Sequence, residues 1–255
     1  MMLAPTKTAT TAATTAATMA AGLLGLVLSS SARAADPTLE ATPAPTPASS
    51  EPAFPKGTDA VLPGLVDVGA ALPVRVELKY ATTDNFMGRD VYGGLTRCFL
   101  VDDAARMLGV ALTELQRGHP GWSFVMYDCA RPRKVQLVMW DIVKGTPQQG
   151  YVANPHTPPG SIHNTGCAVD LSVWDTAAKT AVDMGTPYDF FGSKAHPAKE
   201  VELWKKGQLT GLQWANRLAL REAMLRAGFR PLGHEWWHFD CADGGTARKR
   251  YPVIP

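Results

Sequence analysis

Cys167-Ala168-Val169-Asp170-Leu171-Ser172-Val173 is the stretch on which the reading of this chain turns. Its apolar residues, Cys167, Val169, Leu171 and Val173, alternate with Ala168, Asp170 and Ser172, the period of a half-buried strand. Successive side chains leave a strand on opposite faces, so Asp170 looks away from the apolar side. Just upstream stands Ser161-Ile162-His163-Asn164-Thr165-Gly166, and a glycine there lets the chain turn so that His163 and Asp170 converge. Toward the C-terminus comes Glu235-Trp236-Trp237-His238. A catalytic zinc takes three protein ligands from His, Asp, Glu or Cys and keeps a fourth position open. His163, Asp170 and His238 are the candidate ligands, one zinc per chain, with Glu235 as the proton acceptor.

That assignment makes a geometric demand. Residues three apart share a face of a helix but point to opposite faces of a strand. Two tryptophans followed by Phe239 favour strand, so the chain must bend or bulge near Trp236 if Glu235 and His238 are to meet. The remaining histidines, His119, His156, His196 and His234, lack such companions and read as ordinary surface or hydrogen-bonded residues.

Working outward, 74–80 alternates apolar and polar as a second half-buried strand, and 122–129 reads as a third. Asp102 or Asp103 is expected to cap a helix running toward Gln116, with Ala105, Leu108 and Leu112 at helical spacing. A second helix fits 133–144 on Val135, Met139 and Ile142. A third fits 212–227, with Trp214, Leu218, Met224 and Leu225 as apolar positions and Gly228 as its stop. The last strands are expected at 229–230 and 236–240. Strands and helices without strict alternation predict an α+β class: one domain, a mainly antiparallel sheet packed against helices, and the zinc site on the sheet.

With 255 residues, 45% apolar and 19% charged, the chain can build a sizeable core. Its formal charge is +2, and two of its 25 basic residues, Lys7 and Arg33, lie near the N-terminus; without them 23 basic residues face 23 acidic ones. That balance leaves no nucleic-acid footprint. The apolar run at 19–28 is too short to span a bilayer, and Ala32-Arg33-Ala34 resembles a signal-peptidase site. Residues 1–34 are therefore expected to be a signal peptide, with export to the periplasm and no stable membrane insertion after cleavage. Residues 35–56, rich in Pro, Ala and Thr, read as a disordered linker, and 57–255 as the folded domain, with its core beginning near Leu62. Cys98, Cys129, Cys167 and Cys241 fit one or two disulfides, with three pairings open.

Ser161-x-His163-x-x-Gly166-x-Ala168-x-Asp170 joined to Glu235-x-x-His238 resembles the zinc signature of the D-alanyl-D-alanine peptidase group, peptidase family M15, which includes the D-Ala-D-Ala dipeptidases of vancomycin resistance. Three further segments narrow the likeness to the dipeptidases: 78–88 (LKYATTDNFMG), 127–132 (YDCARP) and 183–189 (DMGTPYD). The resemblance implies that His163, Asp170 and His238 hold zinc and that Glu235 is general base and acid. It further implies that Arg131 stabilises the oxyanion, that Asp189 receives the substrate's free ammonium, and that Ser161 contacts substrate. The implied reaction splits a small dipeptide, D-alanyl-D-alanine, into two D-alanines, with cell-wall dipeptide turnover as the expected role. The alternatives are a D,D-carboxypeptidase or endopeptidase on peptidoglycan stems, and a non-catalytic zinc- or cell-wall-binding module.

Overall fold

The alternating stretch around Asp170 becomes the central strand of a sheet. The structure is a computed structural model and describes residues 64–158 and 160–255. The expected signal peptide, the linker and the first residues assigned to the domain lie outside the described residues. Among those described, the chain forms β1 (Val66–Asp67), α1 (Val68–Ala71), β2 (Arg75–Val76), β3 (Phe99–Leu100), α2 (Asp102–Gly118), β4 (Trp122–Asp128), α3 (Arg133–Val143), β5 (Ala168–Asp175), β6 (Thr180–Ala181), α4 (Glu200–Lys205), α5 (Gly211–Arg226), β7 (Arg230–Leu232), β8 (Glu235–Asp240) and α6 (Gly244–Arg250).

The main sheet runs β2-β4-β5-β8-β7, with β6 added on β5, while β1 and β3 pair separately. Every pairing is antiparallel except β2 with β4. This is the α+β arrangement the pattern predicts. Helices α2 and α5 pack on each other, α2 against β4 and α5 against β5, β7 and β8. Val169, Leu171 and Val173 are wholly buried, but so are Ala168, Asp170 and Ser172 to within a few per cent. β5 is thus covered on both faces rather than half-buried, because loops close over its polar side.

Three local expectations change. The strand expected at 74–80 shortens to Arg75–Val76, and Lys79–Ala81 turns into a 3-10 helix. There the Asn85 side chain donates to the carbonyls of Lys79, Thr82 and Arg89, an alternative to ladder bonds that pulls the backbone out of the sheet. Asp102 and Asp103 do not cap α2; Val101 precedes it without a side-chain bond, and both aspartates sit in the first turn, paired with Arg106 and favoured by the positive helix end. On α5, Leu225 is half exposed, whereas Asn216 and Arg217 are buried. Gly228 follows the helix at φ +93°, as a stop requires.

The four cysteines form two disulfides, Cys98–Cys129 and Cys167–Cys241. The first ties the start of β3 to the end of β4; the second ties the entry of β5 to the exit of β8.

Candidate active site

Strand register builds the site. Asp128 on β4 stands opposite Asp170 on β5, and Asp170 stands opposite His238 on β8. Residues directly opposed across a sheet share a face, so these three form a row across the sheet. His163 reaches the same row from the 3-10 turn Ile162–Thr165, which ends on Gly166 at φ +71°, a left-handed conformation that suits glycine.

The bend demanded between Glu235 and His238 is present. On β7, Leu232 pairs with Glu235, yet the adjacent Pro231 pairs with Phe239, so β8 bulges between Glu235 and Phe239. Pro231 contributes no N–H to the ladder, and β7 is an edge strand, where a bulge is tolerated. The bulge swings Glu235 to the His238 face, with Oε2 4.0 Å from His238 Nδ1.

His163 Nε2, His238 Nδ1 and Asp170 Oδ1 form a triangle. His163 Nε2 lies 3.1 Å from His238 Nδ1 and 3.3 Å from Asp170 Oδ1, and the last two are 2.9 Å apart. Donors held at about 2 Å from a tetrahedral zinc lie roughly 3.3 Å from one another, so two imidazoles and one carboxylate in this spacing fit that ion. Each candidate ligand is also fixed from behind. His163 Nδ1 donates to the Cys129 carbonyl at 2.8 Å, Asp170 Oδ2 accepts from the Tyr188 hydroxyl at 2.9 Å, and His238 Nε2 lies 2.9 Å from Asp240 Oδ1. Burial works to raise the Asp170 carboxyl, but the histidines beside it, His163 first, outweigh burial and hold it well below the usual carboxylate range.

Glu235 is buried, and burial pushes its carboxyl up to about 7. Arg131 is buried too. It donates from Nε to Asp128 at 2.9 Å and from Nη1 to Gln136 at 2.7 Å, and its guanidinium stacks over the Tyr80 ring at 5.1 Å. Asp189 adopts φ +58°, unusual for a residue other than glycine. Its Oδ1 accepts from the Tyr80 hydroxyl at 3.0 Å, and its Oδ2 is buried without any partner. Burial, and then the charge of Asp170, raise this carboxyl well above its ordinary range. A buried, half-satisfied carboxylate is costly, and a cation entering the cavity relieves it.

Arg131, Ser161, His163, Asp170, Asp189, Glu235 and His238, the residues singled out in the sequence, all line one cavity of about 310 Å³. The sequence reading missed several partners. Asp240 had a signal, since it stands two residues beyond His238 and shares its face of the strand. Asp128 lay unweighted inside the 127–132 segment. His234, read as ordinary, lines the cavity with Nε2 3.6 Å from Glu235 Oε1. His196 meets the Tyr151 hydroxyl at 3.1 Å, and Tyr151 stacks on Phe191 in the cavity wall.

Comparison with known proteins points the same way. The family profile described as D-ala-D-ala dipeptidase, Peptidase_M15, matches residues 63–254. A D-alanyl-D-alanine dipeptidase of Escherichia coli (strain K12) is 31% identical over 191 residues, covering 74% of this chain and 89% of the relative. Proteins of the same name from Enterococcus faecalis and Streptomyces coelicolor are 27% and 26% identical, covering 67% and 65% of this chain and 87% and 85% of their own lengths.

Proposed function

We propose that this chain, which belongs to the D-Ala-D-Ala dipeptidase family of peptidases, hydrolyses D-alanyl-D-alanine to two molecules of D-alanine in a zinc-dependent reaction. His163, Asp170 and His238 would hold the metal. When bound, zinc supplies positive charge that lowers the pKa of the attacking water and polarises the scissile carbonyl. Glu235 accepts a proton as the water oxygen bonds to the carbonyl carbon, then delivers it to the amine nitrogen as the C–N bond breaks. The fixed charge of Arg131, aimed by Asp128 and Gln136, stabilises the negative oxygen of the tetrahedral intermediate. Asp189 receives the free ammonium of the substrate, and Ser161, which lines the same cavity, contacts the substrate.

One observation carries the dipeptide reading: the unpartnered Oδ2 of Asp189, buried in the same cavity as the candidate ligands. An amine receptor there disfavours acylated, longer substrates, so it argues against a carboxypeptidase or endopeptidase. The test compares D-Ala-D-Ala with N-acetyl-D-Ala-D-Ala. Wild-type protein is expected to cleave only the former well, and Asp189→Ala to lose most of that preference; equal rates on both substrates in the wild type would refute the proposed role. A chelator should abolish both activities.

We further propose that the activity serves cell-wall dipeptide turnover in the periplasm. The signal-like residues 1–34 and the two disulfides, which belong to oxidising compartments, support that location. No helix among the described residues is long and apolar enough to cross a membrane.

A further inference from the structure

A second concavity, of about 350 Å³, lies behind the segment that carries Ser161 and His163. Arg133, His156, Thr157, Asn164 and Arg248 line it, and Gly160 belongs both to it and to the catalytic cavity. No aspartate or glutamate is among its described lining residues. The two arginines are anchored on the same loop, Arg133 Nη2 donating to the Pro155 carbonyl at 3.1 Å and Arg248 Nη2 to the Ser161 carbonyl at 2.8 Å. Neither takes part in an ion pair among the described residues.

Such a pairing of like charges is unusual without a counter-charge. The Nε of Arg248 is buried with no hydrogen-bond partner, the state of a donor awaiting an acceptor. Burial, and then the charge of Arg133, lower the Arg248 pKa. Arg133 is also the first residue of α3, whose first turn has no acidic residue, so the positive end of that helix adds to the same field. A small anion between the guanidiniums offsets the repulsion and accepts charge-assisted hydrogen bonds from them.

We propose that Arg133 and Arg248 form a binding site for a small oxyanion, a carboxylate or phosphate group, at the back of the Ser161–Asn164 segment. The oxyanion comes either from a free ion or from the carboxylate of the substrate reaching past Gly160. Binding there is measured independently of hydrolysis, so the site can stand or fall without the dipeptidase reading.

The test is calorimetric titration of full-length, zinc-loaded protein with inorganic phosphate at constant ionic strength. Saturable binding is expected, weakened about tenfold in Arg133→Gln or Arg248→Gln by the loss of charge-assisted hydrogen bonds, and largely retained in Arg133→Lys. Phosphate held instead by the metal would bind these variants as tightly as the wild type, and that result overturns the proposal, as does the absence of saturable binding. Arg133 is exposed, so Arg133→Gln decides the matter if Arg248→Gln fails to fold. Repeating the titration in Glu235→Gln with D-Ala-D-Ala present separates the sources: displacement of phosphate identifies the substrate carboxylate as the natural occupant, and undiminished binding identifies a free ion.

Discussion

Glu235 and Asp240 flank His238, and the proposed mechanism gives them different duties that substitution separates. Glu235→Gln keeps the shape and removes the proton acceptor, so turnover is expected to fall by roughly 10²- to 10⁴-fold while zinc content, measured by atomic absorption, stays at one per chain. Asp240→Asn leaves the acceptor in place and weakens the hold on His238 Nε2, so zinc affinity in a competition assay with a chromophoric chelator is expected to drop about 10- to 100-fold. A Glu235→Gln protein that lost its zinc, or an Asp240→Asn protein that kept full affinity, would reverse the two assignments. His163 and His238 were legible in the sequence because each stands at short range from an acidic companion. Asp128 and Tyr188 were not, because what brings them to Asp170 is strand register for the first and loop closure for the second, and neither leaves a local pattern.

At the scale of elements, α5 does more than cover the sheet. Gln213 Nε2 donates to Asp183 Oδ2, Asn216 Nδ2 to the Asp183 carbonyl and Arg217 Nε to the Met184 carbonyl, at 2.9, 2.9 and 2.6 Å. Together they pin the 183–189 segment that ends on Asp189. Arg217 is buried beside Glu200, which also pairs with Arg221. Arg217→Met should therefore cost about 1–3 kcal/mol in denaturant unfolding, since the Met184 and Lys194 carbonyls lose their buried donor while Glu200 keeps Arg221, and should raise KM for the dipeptide more than it lowers kcat. Gly185, at φ +81°, is a second anchor: a Cβ there would meet Leu209 Cδ1 at 2.5 Å, so Gly185→Ala is expected to destabilise the same segment. The sequence located α5 to within a residue at each end but misjudged its buried face, because Asn216 and Arg217 look like solvent-facing residues until the loop they hold is known. The reverse holds for β8, where the demand that Glu235 and His238 meet anticipated the bulge before any register was known.

Across the whole molecule, each disulfide closes off the end of a strand that carries the site. Cys129 presents the carbonyl that orients His163, and the Cys241 N–H donates to the Cys167 carbonyl at 2.6 Å. The Cys167–Cys241 bridge spans 74 residues, for which loop closure alone predicts about 4 kcal/mol of stabilisation. Replacing both cysteines with serine should lower the denaturant midpoint accordingly, and on the proposed ligand set, which exists only in the folded chain, zinc should raise the melting temperature of wild-type and variant proteins alike. The row across β4, β5 and β8 has one more consequence, which concerns timing. His163 and His238 are 75 residues apart in the chain, and Glu235 arrives on the same late strand. On the proposed assignment the ligand set and the proton carrier are therefore completed together, when β8 pairs with β5 across a long sequence separation. A chain stalled before that step holds two loosely placed donors and no acceptor, so the first appearance of dipeptide hydrolysis during refolding should coincide with protection of the β8 amides and not precede it.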